Sequence, residues 1–569
     1  MTGHASGEGG VAYATDEAAR GDVEVKNLER PKSSRVGEMN LESTHQLKRG
    51  LKSRHIQFLA LGGAIGTGLF IGSGQILAST GPAPLFMAYL SMMLVVWVVM
   101  NDLAEMVTYL PMKGISIPYF VGRFLDPSIA FASGWNYWYA YAILVAAECT
   151  AGGLILQYWT RSVHVAVWIA IQLVVILLLN VIAVSFFGEA EFWFASIKLI
   201  TILGLIILGI VLFFGGGPNH DPLYFRYWQD PPGAFRSYPE GVFASDHDST
   251  GRFLAYWSAF IRAGFSFITS PELIALSAGE TVAPRRNIPK AARRFVWRLA
   301  VFYGLGSLVI GVVVPWNDER LVGEGAGQDA STSPYVIGIA RAGIRGLDHV
   351  INAAVLTSAW SAGNAFCYSG SRVLYSMAAT GQAPRCFART TRRGVPWVAV
   401  LATLLVGCLA FLNASSPGAQ VFRWFTNLST ISGFIAWLAI MATYLRFRRA
   451  LGRHGLLQGL AFRGAAQPWA TVVALTVVAV LTVTNGFDVF FPTRWSAANF
   501  LAAYITIPIF LALYATHKLL VGRRAGWRLA IPIEDVDVWT GKREMDELCA
   551  LDREPVPRNW VEKAWYWLA

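Results

Sequence analysis

A chain of 569 residues with 54% hydrophobic and only 15% charged residues is too apolar for a soluble globular protein, in which about a quarter of residues are charged. The formal net charge of +11 does not mark a nucleic-acid binder. Its basic residues sit in short segments between apolar runs, the distribution that membrane insertion leaves. The five cysteines show neither metal-type spacing nor an extracellular pair.

Residues 1–52 are rich in Gly, Ala, Ser, Glu and Lys and lack hydrophobic periodicity, the composition of a disordered tail. Apolar runs able to cross a hydrocarbon core then recur at 56–78, 84–109, 129–158, 163–186, 191–214, 253–278, 296–316, 348–378, 397–414, 420–446, 468–487 and 497–521, about twelve spans. They predict an all-α polytopic membrane protein with its membrane domain over 53–521 and a second tail over 522–569. Both tails are candidate surfaces for regulatory or trafficking machinery.

The first span reads LALGGAIGTGLFIGSG from Leu59 to Gly74, with Gly62, Gly63, Gly66 and Gly68 around Thr67. Each interior Gly costs a helix up to about 1 kcal/mol relative to Ala. Two readings follow: small residues that let neighbouring helices approach, or a helix that unwinds at mid-membrane and offers backbone groups to a ligand.

The loops set the orientation. Arg285, Arg286, Lys290, Arg293, Arg294 and Arg298 crowd one loop; Arg385, Arg389, Arg392 and Arg393 a second; Arg446, Arg448, Arg449, Arg453 and Arg463 a third. All three alternate onto one side. Loop 215–251, with Asp221, Asp230, Glu240, Asp246 and Asp248, falls on the other, as does the loop holding Asp318, Glu319, Glu324 and Asp329. The Lys/Arg bias places both termini in the cytosol. The aromatic and turn residues of 215–251 predict an ordered outer lid.

The sixth span reads FIRAGFSFITSPELIALSAGE from Phe260 to Glu280. Pro271 removes an amide donor and disfavours helical geometry at Ser270. A Gly-broken first span and a Ser-Pro-broken sixth span occupy matching positions in two five-span halves, a pointer to a transporter's binding site. A half-helix N-terminus favours a carboxylate, and exposed carbonyls favour an ammonium group. Ile65, Gly66, Thr67 and Gly68 are therefore expected to cradle a substrate carboxylate, facing Phe267, Ile268, Thr269, Ser270 and Glu272.

Several stretches carry a resemblance: GGAIGTGLFIGSG, GWNYWYAYAILVAAE (134–148), FWFASIKLITILGLIILGI (192–210), GETVAPRRNIPKAARR (279–294) and NAAVLTSAWSAGNAFCYSGSRVLY (352–375). Together the chain resembles the fungal (yeast-type) amino acid permease family of the amino acid–polyamine–organocation superfamily. The resemblance implies a five-plus-five inverted repeat, its halves at about 56–214 and 253–446, with broken helices 1 and 6 and two extra helices at about 468–521. It also implies a plasma-membrane location and proton-coupled amino acid uptake without a cofactor. Broad-range, proline-like and dicarboxylic members all remain open as models for the substrate.

Charges inside a bilayer are costly and need a partner or a task. The resemblance implies substrate or proton handling by Glu148. At Glu272 relatives typically read Gly-Thr-Glu, whereas this chain reads Ser270-Pro271-Glu272, keeping the acid. The resemblance also implies that Lys198 replaces the cation of sodium-coupled cousins; the rival reading is a lysine snorkelling to the cytosolic boundary. Glu148, Lys198 and Glu272 are thus the proton-coupling candidates. Arg262 is open to three readings: snorkelling, pairing with an acid, or lining an outer vestibule. Ser361 and Asn364, near Ser358 on one helix, are candidate polar contributors. Phe265, Phe267, Trp424 and Phe425 are candidate gates.

The expected function is secondary active transport of an amino acid with a proton across the lipid bilayer, by alternating access to a mid-membrane site. The alternative is a receptor of the same fold that signals through its tails. An enzyme is not expected, because the nine histidines are dispersed and no triad, metal cluster or phosphate loop emerges.

Overall fold

The computed structural model describes residues 66–110, 117–182, 184–243, 245–272, 284–322, 333–392, 394–416, 418–525 and 528–542, with Asp546, Asn559 and Trp560. The predicted tail at 1–52, Ile65 and the first glycines of the opening motif lie outside these residues. What is described is helical, without strands.

Among the described residues six helices are long and apolar enough to span a membrane: Pro82–Tyr109, Pro127–Leu156, Trp193–Phe213, Arg285–Val313, Trp397–Ala414 and Gly418–Arg453. A bent pair, Ala497–Tyr504 with Thr506–Val521, meets the same test across a 48° break, and Val165–Val181 and Trp469–Val483 are shorter apolar helices. Each predicted span from 84 onward contains helical structure, the one at 253–278 being described as far as Glu272. The chain is a polytopic helical membrane protein.

Burial separates centre from periphery. The apolar window of Pro127–Leu156 is 89% buried, that of Trp193–Phe213 only 33%. The first carries small residues, among them Ala146, Ala147, Ala151, Gly152 and Gly153, which let other helices close in on every side. The second turns Ile200, Ile207 and Ile210 outward, as a helix at the lipid-facing rim of a bundle does. Glu148 is therefore carried by the central column of the bundle.

The outer lid expected at 215–251 is ordered. Its backbone pairs with the turn between the first two helices: Arg236 N–H donates to Thr80 O at 2.9 Å and Ala83 N–H to Ala234 O at 3.0 Å. Gly81 makes that turn at φ +92°, and a Cβ there would meet Ala234 O at 2.8 Å, so no other residue fits without strain. Trp228 Nε1 donates to Gly311 O at 3.1 Å, tying the lid to a third helix.

On the opposite side a short helix, Ile117–Phe124, and residues 528–542 lie together under the bundle. Arg123 donates to Asp537 O at 2.7 Å and Thr540 O at 2.9 Å, and Tyr109 OH to Val538 O at 2.9 Å. Arg446 donates to Phe124 O at 3.0 Å and also to Ile531 O. The start of the predicted C-terminal tail is thus a packed strap.

Candidate functional site

The two interrupted segments meet. Beyond Gly66 the first is helical, opening on a wide π-turn at Gly68–Gly72 and continuing as Ser73–Thr80. Such π-turns frequently mark functional sites. The sixth span breaks earlier than its proline suggests. Helix Ser249–Phe267 ends at Ile268, whose ψ of 147° leaves helical space, and Thr269 follows at φ +68°, rare for a β-branched residue. Ser270, expected to be non-helical, is helical with Pro271 and Glu272. The physical reason is position: a proline in the first turn gives up an amide that has no partner there. Ser270 Oγ donates back to Phe267 O at 2.8 Å, bridging the break.

Gly68 is where the segments touch. A Cβ on it would lie 2.7 Å from both Cα and Oγ of Ser266. Three aromatic groups fasten the contact. Tyr89 OH donates to Gly68 O at 3.3 Å and lies 2.9 Å from Ser266 Oγ, while Tyr303 OH donates to Ser266 O at 2.9 Å. Phe267, expected among the gates, is fully buried and packs at a tilt against Tyr303 at 4.4 Å and Tyr89 at 5.7 Å between ring centroids. It holds the break from behind.

Each carboxylate is held by one oxygen. Thr67 Oγ1 donates to Glu148 Oε1 at 2.9 Å, and Trp437 Nε1 to Glu272 Oε1 at 2.9 Å. Oε2 of both residues is buried without a hydrogen-bond partner, as are Thr269 Oγ1, Tyr137 OH and Tyr141 OH. Both tyrosines precede Glu148 on the same helix. Lys198 is fully buried. Gly66 borders the same space, its would-be Cβ 3.9 Å from Glu148 Oε1. Buried carboxylates in a membrane bundle, each with an unpartnered oxygen, are candidates for a functional role. Among the described residues no cluster of His, Cys, Asp or Glu could hold a metal ion.

Ser361 and Asn364 lie on the helix Leu347–Ala379, where a Cβ on Gly363 would come within 3.4 Å of Glu148 Cβ. Asn364 Oδ1 accepts from Asn180 Nδ2 at 2.8 Å, joining two helices, and Ser361 is buried on the same helix as Asn364. Arg262 and Trp424 line a cavity of about 280 Å³ on the lid side. There Arg262 donates to Ser79 Oγ at 3.0 Å and Tyr238 OH at 2.6 Å and faces Asp488 at 3.9 Å. Arg262 thus lies within ion-pair distance of an acid and in the wall of the cavity, where the sequence left these as separate readings. Trp424 Nε1 donates to Asn499 Oδ1 at 2.9 Å. Phe265 forms part of the cavity wall, and a Cβ built on Gly72 would lie 3.9 Å from its ring. Phe425 is buried in the core.

Trp437, Tyr89, Tyr303, Tyr137 and Tyr141 were not singled out from sequence. One signal was present: Tyr137, Tyr141 and Glu148 recur at helical spacing in GWNYWYAYAILVAAE.

The family description "Amino acid permease" matches residues 55–529. The chain is 57% identical to a proline-specific permease of Emericella nidulans, over 93% of this chain and 95% of the relative. It is 51% identical to a probable proline-specific permease of Schizosaccharomyces pombe, over 89% and 90% respectively. It is 50% identical to a proline-specific permease of Saccharomyces cerevisiae, over 88% and 80%.

Proposed function

This chain belongs to the amino acid permease family, a family of transporters and not of enzymes, and on that premise we propose that it imports proline across the plasma membrane by proton symport. Proline comes from the relatives that share half or more of its residues, each named as proline-specific. Relatives named as dicarboxylic or general permeases match at the lower identity of 36%.

The single observation behind the mechanism is the pair of buried carboxylates, Glu148 and Glu272, each bonded through one oxygen only, beside the contact of two interrupted helices. In this reading Thr67 and Gly68 open a helix N-terminus that receives the substrate carboxylate. Thr269 and Ile268, at the end of the opposing half-helix, offer carbonyls to the secondary amine. Glu272 and Glu148 take up and release the proton, and Lys198 supplies the positive charge that a sodium ion supplies elsewhere. Twelve spans in an inverted five-plus-five repeat, with both termini in the cytosol, let one bundle rock against the other around this centre.

A competition panel tests the substrate. In a permease-deficient host, excess unlabelled proline is expected to abolish uptake of labelled proline, while aspartate, arginine and leucine leave it largely intact. Equal competition by leucine or aspartate would refute proline selectivity. Binding without accumulation would favour a receptor.

A further inference from the structure

The vestibule beside the lid contains more than a passage. Three guanidinium groups, Arg262, Arg423 and Arg494, line it with one carboxylate, Asp488. Two of the three arginines are engaged. Arg262 bonds to Ser79 and Tyr238, and Arg494 donates to Glu240 O at 3.2 Å. Arg423 is different: it faces the cavity with no carboxylate within ion-pair distance among the described residues, although Arg262, Arg494 and Asp488 all bear on its charge. Asp488 is only half used. Its Oδ2 accepts from Tyr238 OH at 2.5 Å, while Oδ1 accepts from no described side chain. The rest of the wall includes Ile261, Phe265 and Trp424.

We propose that this vestibule is an outer amino acid subsite, in which Arg423 receives the carboxylate of an incoming substrate and Asp488 Oδ1 its amine, before the substrate passes Phe265 to the broken helices. An inorganic anion would satisfy Arg423 but meet Asp488 unfavourably. A zwitterion satisfies both. A cationic side chain would face an excess of guanidinium groups, so the same geometry selects against basic amino acids on entry. The inference rests on the transport reading above and adds a site to it.

The test is uptake kinetics of labelled L-proline in a permease-deficient host, with the surface level of each variant measured. Arg423→Gln is expected to raise KM by ~10-fold, the loss of about one charge-assisted hydrogen bond, with Vmax unchanged. Arg423→Lys is expected to restore most of the affinity. Added salt should raise the KM of the wild type and leave that of Arg423→Gln flat, since only the former depends on a screened charge. An unchanged KM in Arg423→Gln, or a loss confined to Vmax, would overturn the subsite while leaving the transport reading in place. A wild-type protein that accumulates no amino acid would overturn that reading and the subsite with it.

Discussion

Gly68 offers a way to separate packing from binding, because the opening motif presents two glycines in different surroundings. Replacing Gly68 by Ala puts a methyl carbon 2.7 Å from Ser266 Cα, where ordinary contact begins at 3.4 Å. The obstacle is backbone, so it cannot rotate aside. The two interrupted segments must part by roughly 0.7 Å, and overpacking of this kind costs about 1–3 kcal/mol. Parting them also stretches the bond from Tyr89 to Gly68 O, already 3.3 Å long. Gly66→Ala is the control, since its methyl would lie 3.9 Å from Glu148 Oε1, an ordinary contact. The assay is thermal stability of the purified protein together with proline uptake. Gly68→Ala is expected to lower both. Gly66→Ala is expected to keep its stability while raising KM, because it narrows the space beside Thr67 and Glu148. Adding Ser266→Gly to Gly68→Ala should restore stability only in part, for the clash with Cα remains. A Gly68→Ala protein as stable as the wild type would refute the close-approach argument.

Two further outcomes follow from single residues. Glu272→Gln keeps an oxygen to accept from Trp437 Nε1 but cannot exchange a proton; it should lose uphill accumulation while still exchanging labelled for unlabelled proline, and unimpaired accumulation would contradict its coupling role. On the lid side, burial pushes the Asp318 carboxyl up, but hydrogen bonds from Arg320 and Arg341 outweigh it and hold the group below its ordinary 3.8. A depressed folded value means stability that is complete above the unfolded value and lost as pH falls below it. The stability advantage of the wild type over Asp318→Asn should therefore persist from neutral pH down to about the ordinary carboxylate value and shrink below it. A constant difference across that range would count against the ion pairs.

Much of this architecture is legible in the chain because membrane spans are written locally: a run of apolar residues and a basic loop suffice to place a helix. Span positions from 84 onward and the order of the lid were readable for that reason. The break in the sixth span was readable as a fact but not in register, since Pro271 draws attention while the turn occurs at Ile268 and Thr269. The partners of the two breaks were not readable at all. Tyr89 meets Ser266 across 177 positions and Trp437 meets Glu272 across 165, and no local pattern distinguishes these aromatics from those that merely fill a bundle. Gly68 shows the same limit from the other side. Packing and ligand binding appeared as rival explanations of the glycine motif, yet Gly68 packs against Ser266 while Gly66 borders the polar space at Glu148. The first part of the motif, Gly62 to Ile65, lies outside the described residues.

The central claim is that proton entry drives proline inward through Glu148 and Glu272. Its most direct measurement uses purified protein in sealed liposomes, with an imposed inward proton gradient and no sodium. The account predicts that labelled proline accumulates above its external concentration, that a protonophore collapses the accumulation, and that added sodium does not restore it. Accumulation that survives the protonophore and follows an inward sodium gradient would contradict it.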